Sequence, residues 1–398
     1  MPALAAMAAM AALAALLGAA LAGCGGGVDS GGTGVAPANV VVGPVSGFGS
    51  IVVAGIHHDE SGATIVDDDG EPLDAQALKL GTMTVIEGST VVRNGDRRES
   101  RAQRVRVGEQ VLGPVSALDA ATGTLRVLGQ RITVTPTTVF DERLAAGLAA
   151  LQPGDLLAVH GQLDPAGERI VATRIEPRGP TVAALVLRAA VTRYDGAQRR
   201  ATIGGLEVDL AAVPELPAAL AAGTVVRVKL RPQVPSSPAQ PWVASALRVA
   251  TLVLPDVDNV EIEGRITQFD SPQRFSVDGV LVDASAARFS GGTGGLVLGA
   301  RVEVEGPVRA GTLVAREVEL ESDDDPGIGR IEIEGRISAL DAAAQTFVVR
   351  GVTVSYAGAP VFEGGSAADL ALDRQVAVKG SLSPDRTRVL ATLIKIER

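Results

Sequence analysis

An all-β chain with short helices, built as a tandem array of five small barrels, is predicted by three observations. An alternation of apolar and charged residues occurs twice almost unchanged, as Val260-Glu261-Ile262-Glu263-Gly264-Arg265-Ile266-Thr267 and as Ile331-Glu332-Ile333-Glu334-Gly335-Arg336-Ile337-Ser338. A period of two is that of a half-buried strand, so the motif opens a β unit. Used as a ruler, it finds weaker copies at Leu112-Gly113-Pro114-Val115-Ser116 and Val42-Gly43-Pro44-Val45-Ser46, and a degenerate one at Ala190-Val191-Thr192. The repeat of about seventy residues overrides the two or three domains that a length of 398 would suggest. Third, 46% of the residues are hydrophobic but only 3% aromatic, so cores this small must be filled with Val, Ile, Leu and Ala.

The chain starts with an uncharged apolar run, residues 3–22, long enough to cross a bilayer as a helix, followed by Leu21-Ala22-Gly23-Cys24. This looks like a lipoprotein signal peptide over 1–23, with Cys24, the chain's one cysteine, becoming the lipidated N-terminus. An uncleaved transmembrane anchor is the competing reading. No Lys or Arg precedes the run, and the expectation is that the true start lies upstream of Met1. Residues 24–40, rich in Gly, Ser and Pro, read as a flexible tether.

The fourth unit, 258–322, is the clearest. Residues 260–269, 274–278 and 280–283 read as strands, the last two joined by a hairpin turn at Asp278-Gly279. A small-residue segment then ends at Gly299, and strands follow at 301–305 and 312–320. Three strands, a short helix or loop, and two strands is the order of an OB-type five-stranded barrel. The first unit, 41–109, puts residues 73–80 in the helical slot; the second, 110–178, puts 142–151 there; the fifth, 329–398, uses 367–372. The third, 183–252, is the divergent copy. Val159/Gly161, Val304/Gly306, Val378/Gly380 and Ile86/Gly88 recur at the end of the fourth strand, where a glycine marks a bend or bulge. Proline and acidic clusters, including Asp323-Asp324-Asp325, separate the units. With joints that short, a semi-rigid string on the order of 140 Å long is expected.

The opening Gly43-Pro44-Val45-Ser46-Gly47-Phe48-Gly49-Ser50-Ile51-Val52-Val53-Ala54-Gly55, the following Asp59, and the later Val127-Leu128-Gly129-Gln130-Arg131-Ile132-Thr133-Val134 resemble the bacterial repeat lipoproteins built from the domain of unknown function 5666. The likeness covers most of residues 41–398 and is least secure in the third unit. It implies an exported protein of tandem OB-like barrels, and it brings no established activity. Gly25 after Cys24 is not the aspartate associated with inner-membrane retention, so an outer-membrane destination facing the periplasm or cell surface is expected.

The chemistry-bearing residues are few. His57 and His58 are neighbours on one strand, so they face opposite ways and cannot chelate one ion together, and His160 lies in another unit. No catalytic residue is assigned. Asp67-Asp68-Asp69-Gly70-Glu71 invites a calcium reading through Asp67, Asp69 and Glu71, but Pro72 stands where the EF-hand has its glycine, and a solvated turn is the plainer alternative. No other cofactor is expected. Residues 231–242 form a proline-rich loop between the fourth and fifth strands of the third unit, and OB folds often use that loop against a ligand. Arg231 and Trp242, at its ends, are therefore candidates for a peptide or glycan contact, against the blander reading that Trp242 covers a barrel end. A net charge of −10 and scarce aromatics argue against nucleic acid as the partner. The sequence therefore points to a non-enzymatic, lipid-anchored envelope protein, a spacer or binding module for another envelope protein or glycan. A hydrolase-type enzyme with a site between adjacent barrels is the alternative.

Overall fold

The computed structural model of the chain describes residues 37–397 except 96, 167, 219, 238–239, 251 and 323–330. Cys24, the apolar run before it, Pro238 and the acidic stretch Asp323-Asp324-Asp325 lie outside the described residues. No helix among the described residues is long and apolar enough to cross a membrane.

The second barrel shows how each unit closes. Its strands are Val111–Asp119, Thr124–Val127, Gln130–Phe140, Leu156–Asp164 and Arg169–Pro177. The first pairs antiparallel with the second, the second with the third, and the third runs parallel to the fifth. The fifth pairs antiparallel with the fourth, and the fourth returns to the first. That is the OB-type closure, which leaves no free edge within the cycle. The same cycle of pairings closes the other four barrels.

The turn between the second and third strands is built alike in all five barrels. Ala54, Leu128, Gly204, Asp278 and Arg350 have positive φ, and each is followed by a glycine that does too. Two successive positive φ values define the I′ turn, whose twist suits a tight hairpin. Asp278-Gly279 and Gly204-Gly205 are recognisable as such from sequence, whereas the other three are not, because Ala, Leu and Arg are not residues that announce a left-handed backbone.

The fourth-strand glycines sit at bulges in three barrels, where the register with the fifth strand slips at Glu87/Gly88, His160/Gly161 and Lys379/Gly380. A Cβ on Gly306 would lie 2.1 Å from the Val314 carbonyl oxygen, and one on Gly161 2.4 Å from that of Val171. The fifth strand crosses there too closely for any side chain. In the third barrel the slip falls at Lys229/Leu230, with no glycine. Gly306→Ala is expected to destabilise by about 2 kcal/mol, the usual cost of forcing a methyl into packed backbone. Gly62→Ala, with open space around it, should be silent. Equal urea midpoints for the two variants would refute this account.

The segments expected to be helical are shorter than their composition suggests. Residues 73–80 contain only the 3₁₀ turn Ala75–Ala77, residues 142–151 break into Glu142–Leu144 and Gly147–Ala150, and residues 367–372 keep Ala367–Asp369. Their work is to plug a barrel end: Leu144, Leu148 and Leu151 are buried in the second barrel's core.

The expected string does not form. The strand Asn39–Pro44 is buried throughout and runs parallel to the fourth barrel's first strand, with Val40 opposite Val260. Gly47–Phe48 pairs parallel with the fifth barrel's first strand, at Glu332 and Ile333. The second and third barrels join antiparallel through Val111–Leu112 and Val186–Leu187. Gln162 donates to the Glu263 carbonyl of the fourth barrel at 3.2 Å, and Phe140 N–H to the Arg386 carbonyl of the fifth at 2.9 Å. Strand ends that run beyond a closed cycle, such as residues 39–42, keep an unpaired edge, and barrels this small leave apolar faces open; both are satisfied by packing on one another rather than by lining up. The cores merge accordingly, those of the first and fifth barrels into one cluster and those of the second and third into another.

Candidate functional site

Where the first, second and fifth barrels meet, they leave a cleft of about 700 Å³. Its apolar wall includes Phe48, Leu78, Phe140, Val352 and Leu382, and its polar groups are Glu60, Lys79, Asp141, Glu142, Arg143, Arg174, Arg350 and Arg388. The strand-connecting slots of the first two barrels deliver Lys79, Asp141 and Arg143. The hairpin turn of the fifth delivers Arg350.

One side of the cleft carries a shared ion-pair network. Asp141 accepts from Arg143 at 2.7 Å and from Arg174 at 3.3 Å, and Glu176 meets Lys79 at 3.0 Å, Arg178 at 3.2 Å and Arg174 at 3.7 Å. Burial alone would raise the pKa of Glu176, but the neighbouring His160 and the charges of Arg174 and Arg178 outweigh it and hold the carboxyl well below its usual range. Burial works against Asp141 in the same way and is likewise outweighed, by Arg143 first. The Arg174 side chain is 6% exposed, its guanidinium pulled down in pKa by desolvation, and its Nε has no hydrogen-bond partner. On the opposite wall Arg350 pairs with Glu60, and Thr353 donates to Glu142.

The residues singled out from sequence lie elsewhere. Asp67 accepts from the backbone N–H groups of Asp69 and Glu71, at 2.8 and 2.9 Å, and so makes the turn. Asp69 is held by Arg227 and Lys229 of the third barrel, each at 2.8 Å, and Asp68 by Arg188 at 2.7 Å. The acidic run is thus a clamp between the first and third barrels, with the carboxylates of Asp68 and Asp69 occupied by cations. Glu71 is exposed. Among the described residues no three His, Cys, Asp or Glu side chains are grouped as metal ligands would be. Trp242 is half-buried against the joint core of the second and third barrels and starts the strand Trp242–Val249, while Arg231 is exposed at the other end of the loop. Neither reaches the cleft.

The histidines are separated as their positions require. His160 is buried with Nδ1 2.9 Å from the Gly108 carbonyl and Nε2 3.6 Å from Glu176. His58 is wholly buried, and neither ring nitrogen has a hydrogen-bond partner. Burial first, then the charges of His57 and Arg98, lower its pKa to about 4. A His lowered from 6.5 to about 4 binds its proton in the unfolded chain before the folded one, so stability is lost as pH falls through that window. We expect a loss of about 2 kcal/mol between pH 7 and pH 5 from this group, absent in His58→Leu. Parallel pH profiles for the two proteins would disprove it.

The cleft residues escaped the sequence reading because three units contribute them, none in a recognisable motif. The one signal was position: Lys79, Asp141 and Arg143 all lie in or beside the slot between third and fourth strands.

Residues 113–176, 263–319 and 334–395 match the family described as domain of unknown function (DUF5666). These segments lie in the second, fourth and fifth barrels, and the second and fifth form two of the three faces of the cleft, the first barrel forming the third. No curated protein matches the chain. Among solved structures it is similar to drosophila Unr CSD456, at 16% identity over 44% of this chain and 79% of that one, with a TM-score of 0.16. A superposition that poor carries no argument.

Proposed function

We propose that this chain is a non-enzymatic binding module of the bacterial cell envelope, anchored in the outer membrane through a lipid on Cys24, with the three-barrel cleft as its ligand site. The observation that carries the binding reading is the cleft itself, a concavity of about 700 Å³ with an apolar wall and a few convergent charged groups, which is the usual make-up of a ligand site. The anchor rests on the residues around Cys24 alone. The second reading, a hydrolase with its site between adjacent barrels, draws on the same placement of the cleft. His160, which would have to be its base, is 2% exposed, is not part of the cleft lining and faces a partner at both ring nitrogens.

A thermal-shift screen of the full chain against peptidoglycan fragments, envelope polysaccharides, calcium and single-stranded DNA tests the module. A ligand at a hundredfold excess over its Kd raises stability by about 2.7 kcal/mol. Gln76 is exposed on the cleft rim, so Gln76→Trp narrows the mouth without touching a core. Shifts that vanish in Gln76→Trp support the cleft; shifts that all survive there reject it. Turnover of chromogenic esters or glycosides, lost in the same variant, would move the chain to the hydrolase class. Palmitate labelling in cells that persists in Cys24→Ala would remove the anchor.

A further inference from the structure

The charge on the cleft names a ligand class, an inference that rests on the cleft being the ligand site. On the side where the first barrel meets the second, four cations, Lys79, Arg143, Arg174 and Arg178, share two carboxylates, Asp141 and Glu176. Elsewhere on the wall the charges are matched: Arg350 has Glu60, and Arg388 has Asp385 at 3.1 Å. Glu142 adds one negative charge and accepts from Thr353. The lining itself holds five cations, Lys79, Arg143, Arg174, Arg350 and Arg388, against three carboxylates, Glu60, Asp141 and Glu142, with Arg178 and Glu176 standing outside it, so the cleft is cationic on balance in a chain whose net charge is −10. Arg174 belongs to this lining with its side chain 6% exposed, and its guanidinium donates to the Leu80 carbonyl at 3.2 Å and to Asp141 at 3.3 Å. Facing this end is the apolar wall of Phe48, Leu78, Phe140, Val352 and Leu382.

The geometry points to a single anionic amphiphile as the ligand, an acyl or alkyl chain along the apolar wall with its terminal carboxylate or phosphate at the Lys79, Arg143 and Arg174 end. Guanidinium and ammonium groups in surplus select an anionic head, and the apolar wall rejects a fully hydrated one.

Calorimetric titration of the full chain with dodecyl phosphate, decanoate, decanol and inorganic phosphate, each below its aggregation limit, is the test. Dodecyl phosphate or decanoate is expected to bind one to one, decanol at least tenfold more weakly, and inorganic phosphate not measurably. The carboxylate and phosphate arms identify the head that is preferred. Lys79→Met keeps an apolar stem on a half-exposed side chain and removes one charge; it should weaken the anionic amphiphile about tenfold and leave decanol unchanged. Gln76→Trp should weaken both at an unchanged melting temperature. Decanol binding as tightly as dodecyl phosphate, or Lys79→Met binding like wild type, overturns the inference. If the amphiphiles fail to bind while another ligand shifts the melting temperature in a way that Gln76→Trp abolishes, the cleft stands as a site and only its assigned class falls. If nothing responds to Gln76→Trp, both readings fall together.

Discussion

Asp68→Ala should destabilise the chain by about 3–5 kcal/mol, the cost of removing one partner from a buried ion-pair cluster. The Asp68 side chain is 7% exposed and lies 2.7 Å from Arg188, 3.5 Å from Arg227 and 3.9 Å from Arg248. Arg227 is itself 5% exposed, with Asp69 at 2.8 Å and Glu109 at 3.7 Å as its other anions. Take Asp68 away and three guanidinium groups are left facing Asp69 and Glu109 across the joint between the first and third barrels. The unpaired charge cannot hydrate without opening that joint. Arg193→Ala breaks a pair whose partners are 72% and 46% exposed, and serves as the contrast at under about 1 kcal/mol. Urea midpoints of the two variants decide the matter, and a loss of under about 1 kcal/mol in Asp68→Ala would mean that the clamp does not hold the barrels.

Glu303→Gln should stabilise the protein at pH 7, by on the order of 3 kcal/mol. Glu263 and Glu303 sit opposite one another on paired strands of the fourth barrel, as do Glu261 and Glu305. Glu261 is wholly buried and bound by Arg98 of the first barrel. Burial first, and then the Glu261 charge, push the Glu303 carboxyl up to about 10, so it stays protonated and hydrogen-bonds to Glu261. A carboxyl with its folded pKa above its unfolded value of 4.5 contributes stability that is complete below 4.5 and is lost as pH rises toward 10. By pH 7 the loss has accrued over roughly 2.5 pH units, at about 1.4 kcal/mol for each. Glutamine supplies the same donor without a proton to lose, so its stability should not decline across this window. A Glu303→Gln protein with the wild-type slope between pH 5 and pH 9 would show that Glu303 ionises freely.

These two effects sit on contacts between barrels or across their sheets, which is where the sequence was least informative. Val40-Val41-Val42 did carry a clue, since a run of three valines lacks the alternation of a half-exposed strand and implies burial on both faces. The partner strand, Asn259–Ser271, lies far along the chain, and nothing in either segment names the other. Asp67-Asp68-Asp69 was legible as a turn, and Asp67 forms one. Whether its neighbours faced water, calcium or arginine depended on what the fold brought opposite.

What the sequence determined by itself is whatever repeats or alternates locally. Period-two patterning places the strands, and the glycine two residues after a fourth-strand valine marks where the fifth strand crosses. The order of strands and slot then specifies the OB-type closure in each unit, as the five closed cycles bear out. Tertiary structure alone decided that the units gather around the first two barrels instead of extending. It also decided that Lys79, Arg143, Arg174 and Arg350 converge on one cleft. The reason is that local pattern records which face of a strand is apolar, whereas packing between units is set by complementarity of edges and charges distant in sequence, and such complementarity leaves no periodic trace.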